Sequence, residues 1–180
     1  SLPRWVGELY LEYHRGTYTS QAKNKKNNRK GEFLYQNAET AALMAEALLG
    51  TEYPAKTLSD GWRGLLLCQF HDVIPGSSIK EVYEDSDRIY AEILPRGAQL
   101  LSDARAQIRE NLASDGGVLV FNPNSFSSSS TVQLDGRSVY VRDIPAKGYA
   151  VVAPEENRPL SLDEQSRTLE SNFLRVVLDE

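Results

Sequence analysis

Phe33, Leu34, Ala38, Ala41, Ala42, Ala45, Leu48 and Leu49 recur at three- and four-residue steps, and Gly50 follows them. That spacing puts the apolar side chains on one face of a helix, and a glycine just past the last of them can take the left-handed conformation that closes helices. The predicted helix begins near Gln21, capped from the Thr17-Tyr18-Thr19-Ser20 run, with a joint at Gly31. A second set, Trp62, Leu65, Leu66, Gln69 and Phe70, predicts a helix capped by Ser59 or Asp60 and broken by Pro75-Gly76. Ser78-Ile79-Lys80-Glu81 then has the spacing of a capping box and opens a third, longer helix. Its seam is Val82, Ile89, Ile93, Leu100 or Leu101, Ala104, Ile108 and Leu112, and Pro95 with Gly97 predicts a kink midway.

Beyond Ser114-Asp115-Gly116-Gly117 the period changes. Val118 to Phe121, Thr131 to Leu134, Val139 to Ile144, Tyr149 to Val152 and Phe173 to Leu178 are short β-branched and apolar runs between turn clusters such as Asn122-Pro123-Asn124 and Asp135-Gly136. Segments 125–130 and 154–168 are polar and predict loops. The expected fold class is therefore α+β. Residues 1–20 form a lead-in segment without a clean period, 21–115 a three-helix bundle, and 117–180 the first strands of an antiparallel β-sandwich.

With 180 residues, 41% apolar and 25% charged, the chain has an ordinary globular composition. A net charge of -5 argues against a general affinity for nucleic acid or an anionic membrane, both of which need surplus Lys and Arg. Lys23, Lys25, Lys26, Arg29 and Lys30 are crowded together, as are the acids between Glu81 and Asp87, and both groups read as solvated helix faces. Cys68 is the single cysteine, so neither an intrachain disulfide nor a cysteine-only zinc site can form, and a reducing compartment fits. No apolar run approaches the ~20 residues of a membrane helix, Ser1-Leu2-Pro3 does not open a signal peptide, and a cytoplasmic location is expected. Both ends look cut, and self-association through exposed strand edges is expected of a sheet so left.

Chemistry concentrates at Gln69-Phe70-His71-Asp72-Val73-Ile74-Pro75-Gly76-Ser77-Ser78, where a helix meets an ionisable pair and a tight turn. An imidazole can bind a metal or carry a proton, and a carboxylate can accept from hydroxyls. A His-Asp pair at a helix end can equally well bond locally, and one His with one Asp cannot close a zinc site, for which His14 is the only other imidazole. His14-Arg15-Gly16-Thr17-Tyr18 is a second polar cluster, either a loop-to-helix junction or a place where Arg15 holds a carboxylate or a ligand oxygen. Glu84, Asp85 and Asp87 are helix-surface acids with no pocket-like context for a glycosidase pair. A non-catalytic helical interaction module accounts for the same features.

Glu8-Leu9-Tyr10-Leu11-Glu12-Tyr13-His14-Arg15-Gly16-Thr17-Tyr18-Thr19-Ser20-Gln21 resembles the junction between catalytic barrel and helical domain in the glycoside hydrolase family 38 α-mannosidases, especially their cytosolic and bacterial branch. The 69–78 stretch resembles a second signature of that family. Phe121-Asn122-Pro123 and Asp143-Ile144-Pro145-Ala146-Lys147-Gly148-Tyr149 are similar to the start of its β domain.

The resemblance implies a retaining exo-α-mannosidase that cleaves terminal mannose from oligosaccharides, with zinc held by two His and two Asp. At the matching positions His71 is one zinc ligand and Asp72 accepts from mannose hydroxyls. The other ligands, the nucleophile and the acid/base carboxyl belong to an N-terminal barrel that would precede Ser1, so no catalytic residue is expected in this chain. As the middle slice of such an enzyme, without the barrel or the rest of the β region, the isolated chain should be inactive and hold no zinc tightly.

Overall fold

The computed structural model describes residues 2–9, 12–112, 118–134, 137–152, 161–170 and 174–178. A 3₁₀ helix at Glu12–Tyr18 leads into α1 (Ala22–Leu49), α2 (Ala55–Cys68) and α3 (Lys80–Leu112). Among the described residues seven strands follow: β1 (Val118–Asn122), β2 (Ser128–Leu134), β3 (Arg137–Ile144), β4 (Gly148–Val152), β5 (Ser161–Asp163), β6 (Thr168–Glu170) and β7 (Arg175–Val177). All strand pairs are antiparallel, in three small sheets ordered β1-β4, β2-β3 and β5-β6-β7. The expected α+β order of three helices and then antiparallel strands holds. The chain divides into two compact units, Ser1–Ile108 and Arg109–Glu180. The predicted linker at Ser114 to Gly117 and the Asp135-Gly136 turn lie outside the described residues.

The helical core is organised by Tyr35, which is fully buried with Ala38, Ala42, Leu58, Leu65, Cys68, Tyr90 and Ile93. The ring lies against Gly61 of α2, where an added Cβ would come within 2.1 Å of it, and against Gly97 of α3, where the distance would be 3.0 Å. Its hydroxyl donates to the Ile93 carbonyl at 2.7 Å. Nearby Pro95 has no N–H for the carbonyl of Ala91 and crowds the preceding turn, yet α3 stays helical through it. The predicted α1 face is correct in its alanines and wrong at Phe33, which is 50% exposed under the Arg29 guanidinium, and at Leu48, which is 48% exposed, whereas Tyr35 faces inward.

Several boundaries differ from expectation for identifiable reasons. Gly31 is no joint: α1 passes through it unbroken, and its missing side chain makes room for Leu65. Thr19 and Ser20 do not cap α1; left-handed Gln21 starts it with no side-chain cap bond. Gly50 closes it as expected, left-handed, with its N–H on the Glu46 carbonyl at 2.8 Å. The second helix starts a turn before Ser59, because Pro54 needs no N–H at a helix start and so can begin it. That extra turn adds Leu58 to a buried stripe of Leu58, Gly61, Leu65 and Cys68, while Leu66 and Phe70 stay exposed.

In the second unit Val139, Val141 and Ile144 of β3 form a core with Val120, Val132 and Ala150. The step from Val141 to Ile144 breaks strict alternation through a bulge. Asp143 is left-handed at φ 50°, its N–H donates to Ser129 Oγ at 3.0 Å, and the register shifts between Ser128 and Ser130. The serines predicted as loop at 125–130 therefore enter β2 from Ser128, and β5 lies inside the predicted 154–168 loop. Polar strands of this kind lack the apolar alternation that would announce them. Buried Asn122 ties two of the quoted motifs together, its amide donating to the carbonyls of Phe126, Ile144 and Pro145 at 2.8, 3.0 and 3.1 Å.

Gly61→Ala should destabilise the helical unit by about 1–3 kcal/mol, since its Cβ must displace the Tyr35 ring, and chemical denaturation followed by circular dichroism measures this. An unchanged midpoint would contradict the close approach. A second expectation concerns pH. Burial pushes the Cys68 thiol and the Tyr90 phenol up, with each also facing the other. Their neutral forms are favoured by folding, so the contribution is complete below the unfolded-state values, about 8.5 for Cys and 10 for Tyr, and is lost as pH rises through the raised values. The unfolding midpoint should therefore fall from about pH 8.5 upward, and Cys68→Ala should delay the onset toward the tyrosine range.

Candidate functional site

After Cys68 the chain leaves α2 through Gln69 and makes a tight turn before α3. Val73 N–H and Ile74 N–H both donate to the Phe70 carbonyl, at 2.8 and 3.0 Å, and Gly76 N–H donates to Val73 at 3.2 Å. Gly76 is required there. It sits at φ 87°, and a Cβ on it would lie 2.6 Å from that of Ser20 and 2.8 Å from the Ser20 carbonyl oxygen.

Side chains from α1 and α3 hold this turn. From α1, the buried Asn24 amide donates to the Val73 carbonyl at 3.2 Å, while Lys25 Nζ donates to Ile74 at 2.8 Å and also to Ser20. Asn24 Oδ1 in turn accepts from Ser86 Oγ of α3 at 3.2 Å. Gln69 Nε2 donates to Asn28 Oδ1 and Glu32 Oε1, at 2.9 and 3.0 Å. From α3, Tyr83 Oη accepts from Ser78 N–H at 2.9 Å and lies 3.5 Å from the Val73 carbonyl. The turn after Asp72 is thus pinned through its backbone.

His71 and Asp72 extend from that frame. Their side chains are 79% and 62% exposed, and Nε2 of His71 lies 3.6 Å from Oδ2 of Asp72, longer than a hydrogen bond. The Phe70 ring lies beside the imidazole with centroids 4.2 Å apart. Neither candidate side chain is sequestered by the core, so both are presented outward from a braced backbone. The imidazole and carboxylate suit a share of a zinc site. Among the described residues no group of three or more His, Cys, Asp or Glu is gathered to hold a metal ion.

The other candidates separate from this turn or join it in unforeseen ways. His14 lies in the 3₁₀ helix, its side chain outside the described residues, and Arg15 of the same helix is exposed. The basic run is not uniformly a solvated face: Lys26 and Lys30 are exposed, Lys23 pairs with Asp87 at 2.6 Å, and Lys25 reaches into the turn. Burial removes water from the Lys25 ammonium and lowers its pKa. Glu84 and Asp85 pair with Lys80 and Arg88 along the α3 surface, as helix-surface acids do. The sequence offers no motif for Asn24 and Tyr83 here, and Lys25 reads as one of a solvated group, because all three act on main-chain groups, which leave no side-chain pattern. The one available signal was that Asn24 falls on the same helix face as Gly31, Tyr35 and Ala38, a polar residue in line with the buried stripe of α1.

No described helix is long and apolar enough to cross a membrane. Residues 12–108 match the family described as alpha mannosidase middle domain. The chain is 37% identical to mouse alpha-mannosidase 2C1 over 191 aligned residues, which cover 97% of this chain and 18% of that protein. An alpha-mannosidase structure from Enterococcus faecalis V583 aligns over 67% of the chain and 14% of its own, with a TM-score of 0.59 at 26% identity. Another Enterococcus faecalis structure, described as a glycosyl hydrolase family 38 protein, shares the fold with a TM-score of 0.60 at 24% identity. The helices that brace the His71-Asp72 turn thus fall within the matched residues, and the chain belongs to the alpha mannosidase middle-domain family, as a middle fragment of a glycoside hydrolase family 38 α-mannosidase.

Proposed function

We propose that this fragment forms one wall of the active site of a zinc-dependent, retaining exo-α-mannosidase, supplying His71 as a zinc ligand and Asp72 as an acceptor for the hydroxyls of a terminal mannose. The observation that carries the reading is the pair itself, two adjacent ionisable side chains held out from a turn that α1 and α3 brace. Zinc, when bound, would act as a Lewis acid that orients and polarises oxygen ligands. His71 would contribute a neutral imidazole nitrogen to it. Asp72 would fix the sugar through charge-assisted hydrogen bonds, which are shorter and stronger than neutral ones. The remaining ligands, the nucleophile and the acid/base carboxyl would come from other parts of the longer protein, together with the rest of its β region.

Mannose-containing oligosaccharide is the proposed substrate, supported by the family, and the cytoplasm the proposed location, in keeping with a single buried cysteine, Cys68, that forms no disulfide. The isolated chain, with one imidazole and one carboxylate at the turn, would neither turn over substrate nor hold zinc tightly.

In the full-length enzyme His71→Ala should abolish zinc-dependent hydrolysis of an aryl α-mannoside and reduce bound zinc measured by atomic emission. Asp72→Asn should retain zinc and lower kcat/KM about 10–100-fold, the worth of one or two hydrogen bonds to a charged acceptor. Full activity in either variant, or turnover by the purified 180-residue chain, would overturn the assignment.

A further inference from the structure

We propose that Lys25 is a positioning residue for the His71-Asp72 pair: its ammonium clamps the carbonyls of Ile74 and Ser20, and so fixes the backbone from which both side chains project. This rests on the roles of His71 and Asp72 proposed above.

The turn is short, so backbone and side-chain placement are tightly linked. Its internal hydrogen bonds run among Phe70, Val73, Ile74 and Gly76, and they would let it pivot as a unit on the end of α2. What prevents pivoting is contact from outside the turn. Lys25 makes two such contacts at once. It joins the segment just before α1 to the far side of the turn, where Gly76 already lies against Ser20. Asn24, one residue earlier, holds the adjacent Val73 carbonyl and is itself held by Ser86. Tyr83 secures the same stretch from α3 through Ser78.

Lysine is suited to this place. An ammonium on a flexible stem offers three donors and can satisfy two carbonyls that point in different directions, and those carbonyls cannot be served by an apolar side chain. A metal ligand tolerates only about 0.5 Å of displacement from its productive position. A bond that holds the ligand's backbone therefore acts on metal affinity without touching the metal, as residues beyond the ligands commonly do.

The test uses the full-length enzyme stripped of metal and titrated with cobalt(II), whose visible bands report ligand geometry, with affinity read by chelator competition. Lys25→Met should weaken cobalt binding about 10–100-fold and shift the bands, with the thermal midpoint and helical circular dichroism close to the parent. Lys25→Arg should restore most of the affinity. If Lys25→Met does not fold, Tyr83→Phe reads the same brace and should shift the bands in the same direction. A lowered thermal midpoint with unchanged affinity and bands would mean that Lys25 only supports the fold, and would overturn the proposal. His71→Ala separates the two levels. If it leaves cobalt binding intact, the zinc assignment itself fails. If it abolishes binding while Lys25→Met and Tyr83→Phe bind like the parent, only the positioning role falls.

Discussion

Tyr35 sets the geometry on which the rest of the helical unit depends. A phenol ring can be buried between three helices only if its neighbours give up volume and its hydroxyl finds an acceptor. Gly61 and Gly97 give up the volume, and the Ile93 carbonyl accepts the hydrogen bond. With the helices held this close, the alanines of α1 suffice to fill the remaining space, and larger side chains there would be overpacked. The same docking carries the first turns of α1 to the end of α2. There Asn24 and Lys25 become neighbours of a loop about 50 residues later in the chain, as the separations of 49 positions to Val73 and Ile74 record.

Polar residues complete what the apolar core begins. The Asn24, Ser86 and Cys68 contacts lie at the edge of the Tyr35 core, with Ser86 Oγ 3.6 Å from the Cys68 thiol, and pass from buried packing to the braced turn without a break. The second unit shows the same device at smaller scale. Asn122 satisfies three carbonyls, and Lys147 adds bonds to Pro123 and Asn124, so a turn with few apolar residues is fixed by amide and ammonium donors. In both units the motifs that resemble the family prove to be places where main-chain carbonyls are gathered and satisfied.

That distinction explains what could be learned from the sequence. The existence of three helices, the stop at Gly50 and the candidacy of His71 and Asp72 were legible, because periodicity, breakers and ionisable side chains are written in residue types, whereas the second helix, expected to run on to Pro75-Gly76, ends at Cys68. Helical spacing alone does not say that Tyr35, and not Phe33, is the aromatic that faces inward. Gly31 marks close helix approach and not a joint, and a glycine letter does not distinguish the two. Ser128 to Ser130 and β5 were missed because strands held by backbone pairing and a bulge need no apolar alternation. Lys25 looked like one of five solvent-facing cations, and only the tertiary fold shows which carbonyls it meets.

The helical unit accordingly works as a rigid mount. Its core fixes the helices, its buried polar contacts fix the turn, and the turn presents an imidazole and a carboxylate outward, which in the proposed reading join a site completed by other parts of a longer α-mannosidase. Anomalous diffraction at the zinc edge from crystals of the full-length enzyme tests this directly. The account predicts one zinc ion with a nitrogen of His71 about 2.0–2.1 Å from it and the Asp72 carboxylate beside the bound sugar. A zinc site fully coordinated without His71 would contradict it.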